Sequence, residues 1–360
     1  MKSMLTVIAF SLFFISCNKD NSTIAPITTP PVPTTMYFPP IGSDTWETIS
    51  PQTLGWDVTK LNEAITYAGT KNTYGLIILY KGRIVTENYW NSWDKNTVYY
   101  IASAGKSITA FLAGIAQQEG KLDINNKTSM YLGNGWTSAP LAKENLITVR
   151  HQLTMTTGLD YNVPDENCMT PACLSYKADA GSFWYYYNAP YRLLQNVIAN
   201  ATGINYNTYT KTRLADKIGM KNFTWLNYIL WLNSRDMARF GLLTLNKGNW
   251  NGNQIMTDPA YFNAMTNTSQ NLNNAYGYLW WLNGKASFMV PSLTVVVPGM
   301  LNPAAPADMI SALGKGDKKI YVIPSKDLVV IRHGEDSGDA VLGPSSFDNN
   351  FWAKLMLAIK

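Results

Sequence analysis

Strand-like sequence is concentrated towards the two ends of this chain, and that separation restricts its fold more than any other feature. Near the start, Tyr74–Tyr80 and Arg83–Tyr89 are rich in β-branched and aromatic residues and meet at Lys81-Gly82, the pattern of a hairpin. Near the end, Met309–Gly314, Lys319–Ile323 and Leu328–Arg332 are separated by Lys315-Gly316-Asp317 and Pro324-Ser325-Lys326-Asp327. The long middle has few such runs and several helical ones: Arg150–Met155 stops at Gly158, Leu193–Ala201 at Gly203, and Ser234–Leu245 before Gly248. Helical spacing of Leu61, Ala64, Ile65 and Ala68 predicts an early helix, and Phe347–Ile359 a closing one. The expected fold is therefore α+β. One antiparallel sheet of about five strands is built from both chain ends and flanked by the terminal helices, with a mostly helical domain inserted. On this reading residues 45–102 and 272–360 form the sheet domain and residues 103–271 the helical domain.

Ahead of this lies a different kind of sequence. Lys2 followed by the apolar run Met4–Ile15 is too short to span a bilayer but has the length of a signal-peptide core, so residues 1–16 read as an export signal. The run ends Phe14-Ile15-Ser16-Cys17, which resembles a bacterial lipobox and makes Cys17 the expected lipidation site. The Thr- and Pro-rich residues 17–44 then read as an extended linker. An exported lipoprotein is expected, periplasmic or attached to the outer membrane. Of three cysteines, Cys168 and Cys173 remain, either paired as a local disulfide in an oxidising compartment or standing as two free thiols.

The chemistry is expected where Tyr99–Thr109 opens a helix. Ser103 and Lys106 are three residues apart, so on a helix their side chains share a face. Ile108, Phe111, Leu112 and Ile115 recur at helical spacing and predict a helix ending near Gly120, with Ser103 in its first turn. The positive end of a helix favours negative charge there by about 0.3–1 kcal/mol. The same end, with partial burial, would depress the lysine pKa and let a neutral amine take the serine proton. Bringing a lysine from about 10.4 to about 7 requires roughly 5 kcal/mol of selective destabilisation of its charged form. A helix-capping serine and a solvated lysine would give the same four letters, so the pair needs company to carry the argument.

Other chemistries lack their residues. The net charge is +5 with no dense Lys/Arg run, so no nucleic-acid partner is expected. His151 and His333 are the two histidines, and with no G-x-S-x-G segment an α/β-hydrolase Ser-His-Asp triad is not expected. His151 is read as structural; His333, at the end of the last strand, as structural or touching substrate. No His/Cys/Asp grouping has zinc spacing, so neither a metal nor a cofactor is expected.

Company for Ser103 and Lys106 comes from three further stretches: Leu153–Asp160, Tyr186-Tyr187-Asn188-Ala189-Pro190-Tyr191-Arg192-Leu193-Leu194, and Ala312-Leu313-Gly314 before the last hairpin. In content, order and spacing these resemble the serine β-lactamase and penicillin-binding-protein superfamily. The resemblance is greatest to its class C-like serine hydrolases, which include esterases and 6-aminohexanoate-dimer hydrolases. It implies that Ser103 is the nucleophile, Lys106 its base and Tyr186 the proton carrier of a Y-x-N motif, with Tyr185 as the neighbouring register. Asn188 would hydrogen-bond the lysine or the substrate. The third motif usually begins with a cation, and here Ala312 stands in its place. Gly314 would border the site or simply end its strand, and the backbone N–H groups of Ser103 and Lys315 would form the oxyanion hole. Tyr276-Gly277-Tyr278-Leu279-Trp280-Trp281 matches a further stretch of these hydrolases, read as core packing with one indole able to line the cleft. The implied activity is hydrolysis of a small-molecule ester, amide or peptide through an acyl-enzyme. β-Lactamase or D-alanyl peptidase activity comes second, and a non-catalytic lipoprotein that binds cell-wall ligands is the reading of another class.

Overall fold

The computed structural model of the chain describes residues 31–338 and 346–359. The expected signal peptide 1–16 and the lipidation site Cys17 lie outside the described residues, as does the first half of the linker. Within the stretch expected to be linker, Met36, Tyr37 and Phe38 pack on the main core, and Tyr37 N–H donates to Lys81 O at 2.9 Å.

The sheet is made from both ends of the chain. Its strands are β1 (Thr73–Tyr80), β2 (Arg83–Tyr89), β3 (Trp281–Leu282), β4 (Ile310–Gly314), β5 (Lys318–Ile323) and β6 (Leu328–Gly334), in the spatial order β2-β1-β6-β5-β4-β3. Every neighbouring pair is antiparallel. Ile77 opposite Ile331 and Ile78 opposite Val330 close the sheet between the first and last strands. Where about five strands were expected there are six; the additional β3 is a two-residue edge piece, too short to leave a strand pattern in the sequence.

Both faces of this sheet are covered, and alternation along each strand decides which residue goes where. Ile77 and Leu79 of β1, Ile320 and Val322 of β5, and Val329 and Ile331 of β6 join one core. Their alternates Leu76, Ile78, Tyr321, Ile323, Leu328 and Val330 join the other. Helices α1 (Val58–Gly69) and α5 (Ser346–Ala358) cover the second face with Leu61, Ala64, Phe347 and Phe351. The first face receives α2 (Gly105–Gln118) and α4 (Ser234–Leu245), and between α2 and α4 in sequence comes α3 (Asn188–Thr202). Helix α4 sits very close to the sheet: a Cβ on Gly241 would fall 2.5 Å from Val329 Cγ1.

Side-chain caps mark the starts of α1 and α4, whereas α2 and α3 begin without one. The Asp57 carboxylate accepts from Lys60 N–H ahead of α1, and Asn233 Oδ1 accepts from Asp236 N–H ahead of α4. What the sequence did not reveal is a small sheet inside the helical region, in the order Tyr99–Tyr100, Ile229–Leu232, Thr224–Leu226. These strands are two to four residues long, below the length at which periodicity separates strand from coil.

The closing helix is also held by charge. Asp348 of α5 is buried and accepts from Lys319 Nζ at 2.9 Å and from the Tyr321 hydroxyl, both on β5. Lys319 Nζ also lies 3.1 Å from Asp317 Oδ1, so removing Asp348 leaves the lysine one carboxylate and takes away the charged hydrogen bonds that Asp348 makes to Lys319 and Tyr321. Asp348→Ala is therefore expected to lower the unfolding free energy by about 1.5–3 kcal/mol, the worth of a hydrogen bond to a charged group, read as a drop in the urea midpoint; an unchanged midpoint would show that these bonds contribute nothing.

Candidate active site

The strand Tyr99–Tyr100 delivers the chain to Ile101, whose N–H donates to Leu230 O at 2.9 Å. Ala102 then takes a φ of 48°. A residue with a Cβ pays about 1–3 kcal/mol for that left-handed conformation, which persists only when its surroundings over-determine it. Ser103 follows in a 3₁₀ turn, Ala102–Ala104, that runs straight into α2. It thus stands one turn ahead of the α-helix expected to contain it. The turn is pinned from the sheet side by Gly314 at the end of β4, where a Cβ would lie 2.3 Å from Ile101 O and 3.2 Å from Ala104 N. Gly314 therefore borders the Ser103 turn as well as ending its strand. Ala312 is fully buried on β4, and Lys315 follows Gly314 with an exposed side chain.

Lys106 closes back on Ser103. Its Nζ lies 2.9 Å from Ser103 Oγ and 3.0 Å from Asn188 Oδ1. The amide oxygen can only accept, so it takes a lysine N–H and leaves the lone pair of a neutral amine free to face the serine hydroxyl. Lys106 is 4% exposed, and the faces of Tyr186 and Tyr191 lie 5.0 and 4.3 Å from its nitrogen. Burial lowers its pKa to about 7, helped by the positive charge of Arg192 and opposed by Glu166. The depression expected from a helix end and partial burial therefore arises mainly from full burial.

Tyr186 is the tyrosine that reaches Ser103. Burial raises its pKa well above the usual phenol range, and a hydrogen bond with Ser103 pulls it part of the way back. Its ring stacks on Trp281 at 5.8 Å between centroids and meets Tyr276 edge-on at 6.2 Å. Tyr185, the competing register, points elsewhere and donates to Glu166 Oε1 at 2.9 Å. Of the adjacent tryptophans, Trp281 backs the tyrosine while Trp280 is wholly buried beside Phe240.

The histidines stand apart from this chemistry. His151 Nδ1 accepts from Thr148 N–H at 3.1 Å in a capping box. His333 is fully buried against Trp93 and Tyr99, lies 3.3 Å from Ser234 Oγ, and has its pKa lowered to about 3 by desolvation. Sequence reasoning missed Tyr191 and Arg192, although both follow Asn188 at i+3 and i+4 on α3 and that spacing was available. Lys318, opposite Gly314 across the β4–β5 pair, does not supply the cation absent at Ala312: its ammonium is buried, 3.0 Å from Glu335 and 4.1 Å from the Tyr100 ring centre.

With this geometry in hand, the chain can be set beside known proteins. A family model described as β-lactamase matches residues 64–229. A Bacillus anthracis structure provisionally named a 6-aminohexanoate-dimer hydrolase superposes with a TM-score of 0.65 at 18% identity, over 87% of this chain and 86% of the other. A penicillin-binding protein homologue from Caulobacter crescentus gives 0.63 at 12% identity, over 82% and 97%. In sequence, the chain is 21% identical over 317 residues to an uncharacterized protein of Alkalihalophilus pseudofirmus, covering 77% of this chain and 86% of that one. At these identities the structural likenesses concern the fold alone.

The lowered pKa of Lys106 has two consequences of known sign. The unfolded chain holds a proton on this lysine that the folded chain has released between about 7 and about 10.4, so its contribution to stability improves as pH rises through that window. A neutral amine is also the form that can accept the Ser103 proton. The rate at which Ser103 reacts with a fluorophosphonate is therefore expected to rise about tenfold per pH unit below about 7 and level off above it. A flat rate across that range would exclude Lys106 as the base.

Proposed function

We propose that this chain, which has the β-lactamase/transpeptidase-like fold and matches the β-lactamase family model over residues 64–229, is a serine hydrolase that cleaves an ester or a small amide through a Ser103 acyl-enzyme. The observation that carries this reading is the buried Lys106 amine, 2.9 Å from Ser103 Oγ with its pKa brought down to about 7. A structural lysine in that position would need a carboxylate partner to stay charged.

In the proposed first step Ser103 Oγ attacks the substrate carbonyl and its proton passes to Lys106. The backbone N–H groups of Ser103 and Lys315 are the proposed oxyanion donors, each able to contribute roughly 3 kcal/mol to the transition state. Tyr186, kept as a neutral phenol by burial, hands a proton to the leaving group and recovers one from the protonated Lys106, which becomes neutral again. Water then attacks the acyl-enzyme by the reverse relay. Asn188 holds the lysine N–H and, being partly exposed, has its amide nitrogen available to substrate.

Ala312 favours esters and small amides over β-lactams and D-alanyl peptides. A buried methyl group cannot anchor a substrate carboxylate, and esters with good leaving groups depend less on such an anchor. Export and attachment through a lipidated Cys17 are part of the same proposal and rest on the pattern of residues 1–17.

Two measurements test these readings. Peptide mapping by mass spectrometry after incubation with a fluorophosphonate, and separately with p-nitrophenyl acetate, is expected to place an adduct on Ser103 that disappears in Lys106→Ala. Absence of any adduct at Ser103 would sink the acyl-enzyme and favour the non-catalytic binding lipoprotein. In bacteria fed an alkynyl palmitate analogue, the full chain is expected to take up label and Cys17→Ala to lose it; equal labelling of the two would remove Cys17 as the anchor.

A further inference from the structure

The residues on either side of Tyr186 face a different part of the molecule from Tyr186 itself. Trp184 and Tyr186 belong to the large core around α2, whereas Tyr185 and Tyr187 belong to a smaller one with Trp136, Ile147, Leu159 and Leu174. That partition of alternate residues is what an extended segment produces. It places two phenols from the segment that presents Tyr186 in contact with a single surface loop.

That loop is closed by the disulfide Cys168–Cys173. Tyr185 OH donates to Glu166 Oε1 at 2.9 Å just before the bridge, and Tyr187 OH donates to Cys173 O at 2.9 Å at its far end. Tyr185 also stacks on Tyr161, with centroids 3.6 Å apart and planes at 10°. From α3, one turn after Asn188, Arg192 Nη1 donates to Asn167 O at 3.1 Å. The loop is therefore gripped at both ends by groups that flank Tyr186. On the opposite side the segment has one backbone tie, from Tyr185 N–H to Met155 O at 3.0 Å.

The bridge spans a sequence separation of five, and short loops gain least from cross-linking in the unfolded state. The principal consequence of this disulfide is thus local, in the shape of the loop it closes. A tyrosine that relays protons must hold its oxygen within hydrogen-bond reach of both serine and leaving group, and small displacements there cost much of the rate. The residues leading into the bridge include Glu166 and Asn167, and so supply one of the two charges that act on Lys106 through space and one contact of the other, Arg192, which also donates to Asn227 O and Oδ1.

We propose that the Cys168–Cys173 loop is a positioning element for the Tyr186 phenol, acting through Tyr185 and Tyr187, so that opening the disulfide slows the chemical step and leaves substrate binding intact. This rests on the reading of Tyr186 as the proton carrier of an acyl-transfer reaction. Neither cysteine touches the reacting atoms; their effect passes through the two phenols.

A double-mutant cycle on p-nitrophenyl ester turnover tests the proposal with the full chain. The Cys168→Ser/Cys173→Ser variant is expected to lose about tenfold or more in kcat with KM within about twofold of wild type. Tyr186→Phe lowers kcat by itself, and adding the two serines to it is expected to cause little further loss, since both changes act at one phenol. A variant that merely loosens the fold would instead lower the melting temperature and reduce kcat by the same factor in either background. That result, or a disulfide-free chain with wild-type kcat, overturns the proposal. Should the double-serine chain fail to fold, Tyr187→Phe removes only the hydroxyl that grips Cys173 O, and the same cycle with Tyr186→Phe decides the question. A wild-type chain with neither turnover nor Ser103 labelling overturns the acyl-transfer reading and this inference with it, whereas an active wild type with an unchanged disulfide-free variant overturns this inference alone.

Discussion

An amine held inside the protein, with no carboxylate in contact among the described residues, is the constraint on which the rest of the site depends. Lys106 would need a counter-ion to keep its charge well above neutral pH, and the structure offers instead two tyrosine faces and one amide oxygen. Those partners tolerate a cation without matching the water it has lost, so the neutral amine becomes accessible near pH 7. The donors of this environment come from separate places: the lysine from α2, Asn188 and Tyr191 from α3, and Tyr186 from the segment leading into α3. The packing of α2 on α3 is thereby a chemical requirement as well as a source of stability.

The serine side of the site depends on the sheet. Ala102 sits in a conformation unfavourable for a residue with a side chain, and it is held there by the Ile101 amide on Leu230 and by the approach of Gly314 to the Ile101 carbonyl. Strand β4 reaches that position because β5 and β6 return it to β1, at the other end of the chain. The two-ended sheet and the strained turn are consequently parts of one arrangement: the sheet brings residues from the closing part of the chain against the turn that carries Ser103. Ala312 shows the limit of that arrangement, since the strand keeps its place and its backbone while the position that would carry a cation holds a methyl group.

Much of this was legible beforehand, for identifiable reasons. The first hairpin and the closing strands were readable because each has enough alternating β-branched residues to outweigh other possibilities, and Ser103 and Lys106 because helical spacing alone brings them together. Gly314 was ambiguous, since an identical glycine can end a strand or admit a close approach, and only the Ile101 carbonyl 2.3 Å from its missing Cβ separates the two. The small sheet of Tyr99–Tyr100, Ile229–Leu232 and Thr224–Leu226 was invisible because its strands are too short to have a period and the first of them pairs with a partner far away in the chain.

The sequence by itself determined the elements whose causes are local: the amphipathic helices, the strand runs at both ends, and the three-residue spacing of serine and lysine. The tertiary structure decided the quantities that depend on who the distant neighbours are. Which of three consecutive tyrosines meets Ser103 is one, settled by the division of alternate residues between two cores. The basicity of Lys106 is the other, because desolvation is a property of everything packed around a charge, and the residues that pack around this one are contributed by segments about eighty positions away.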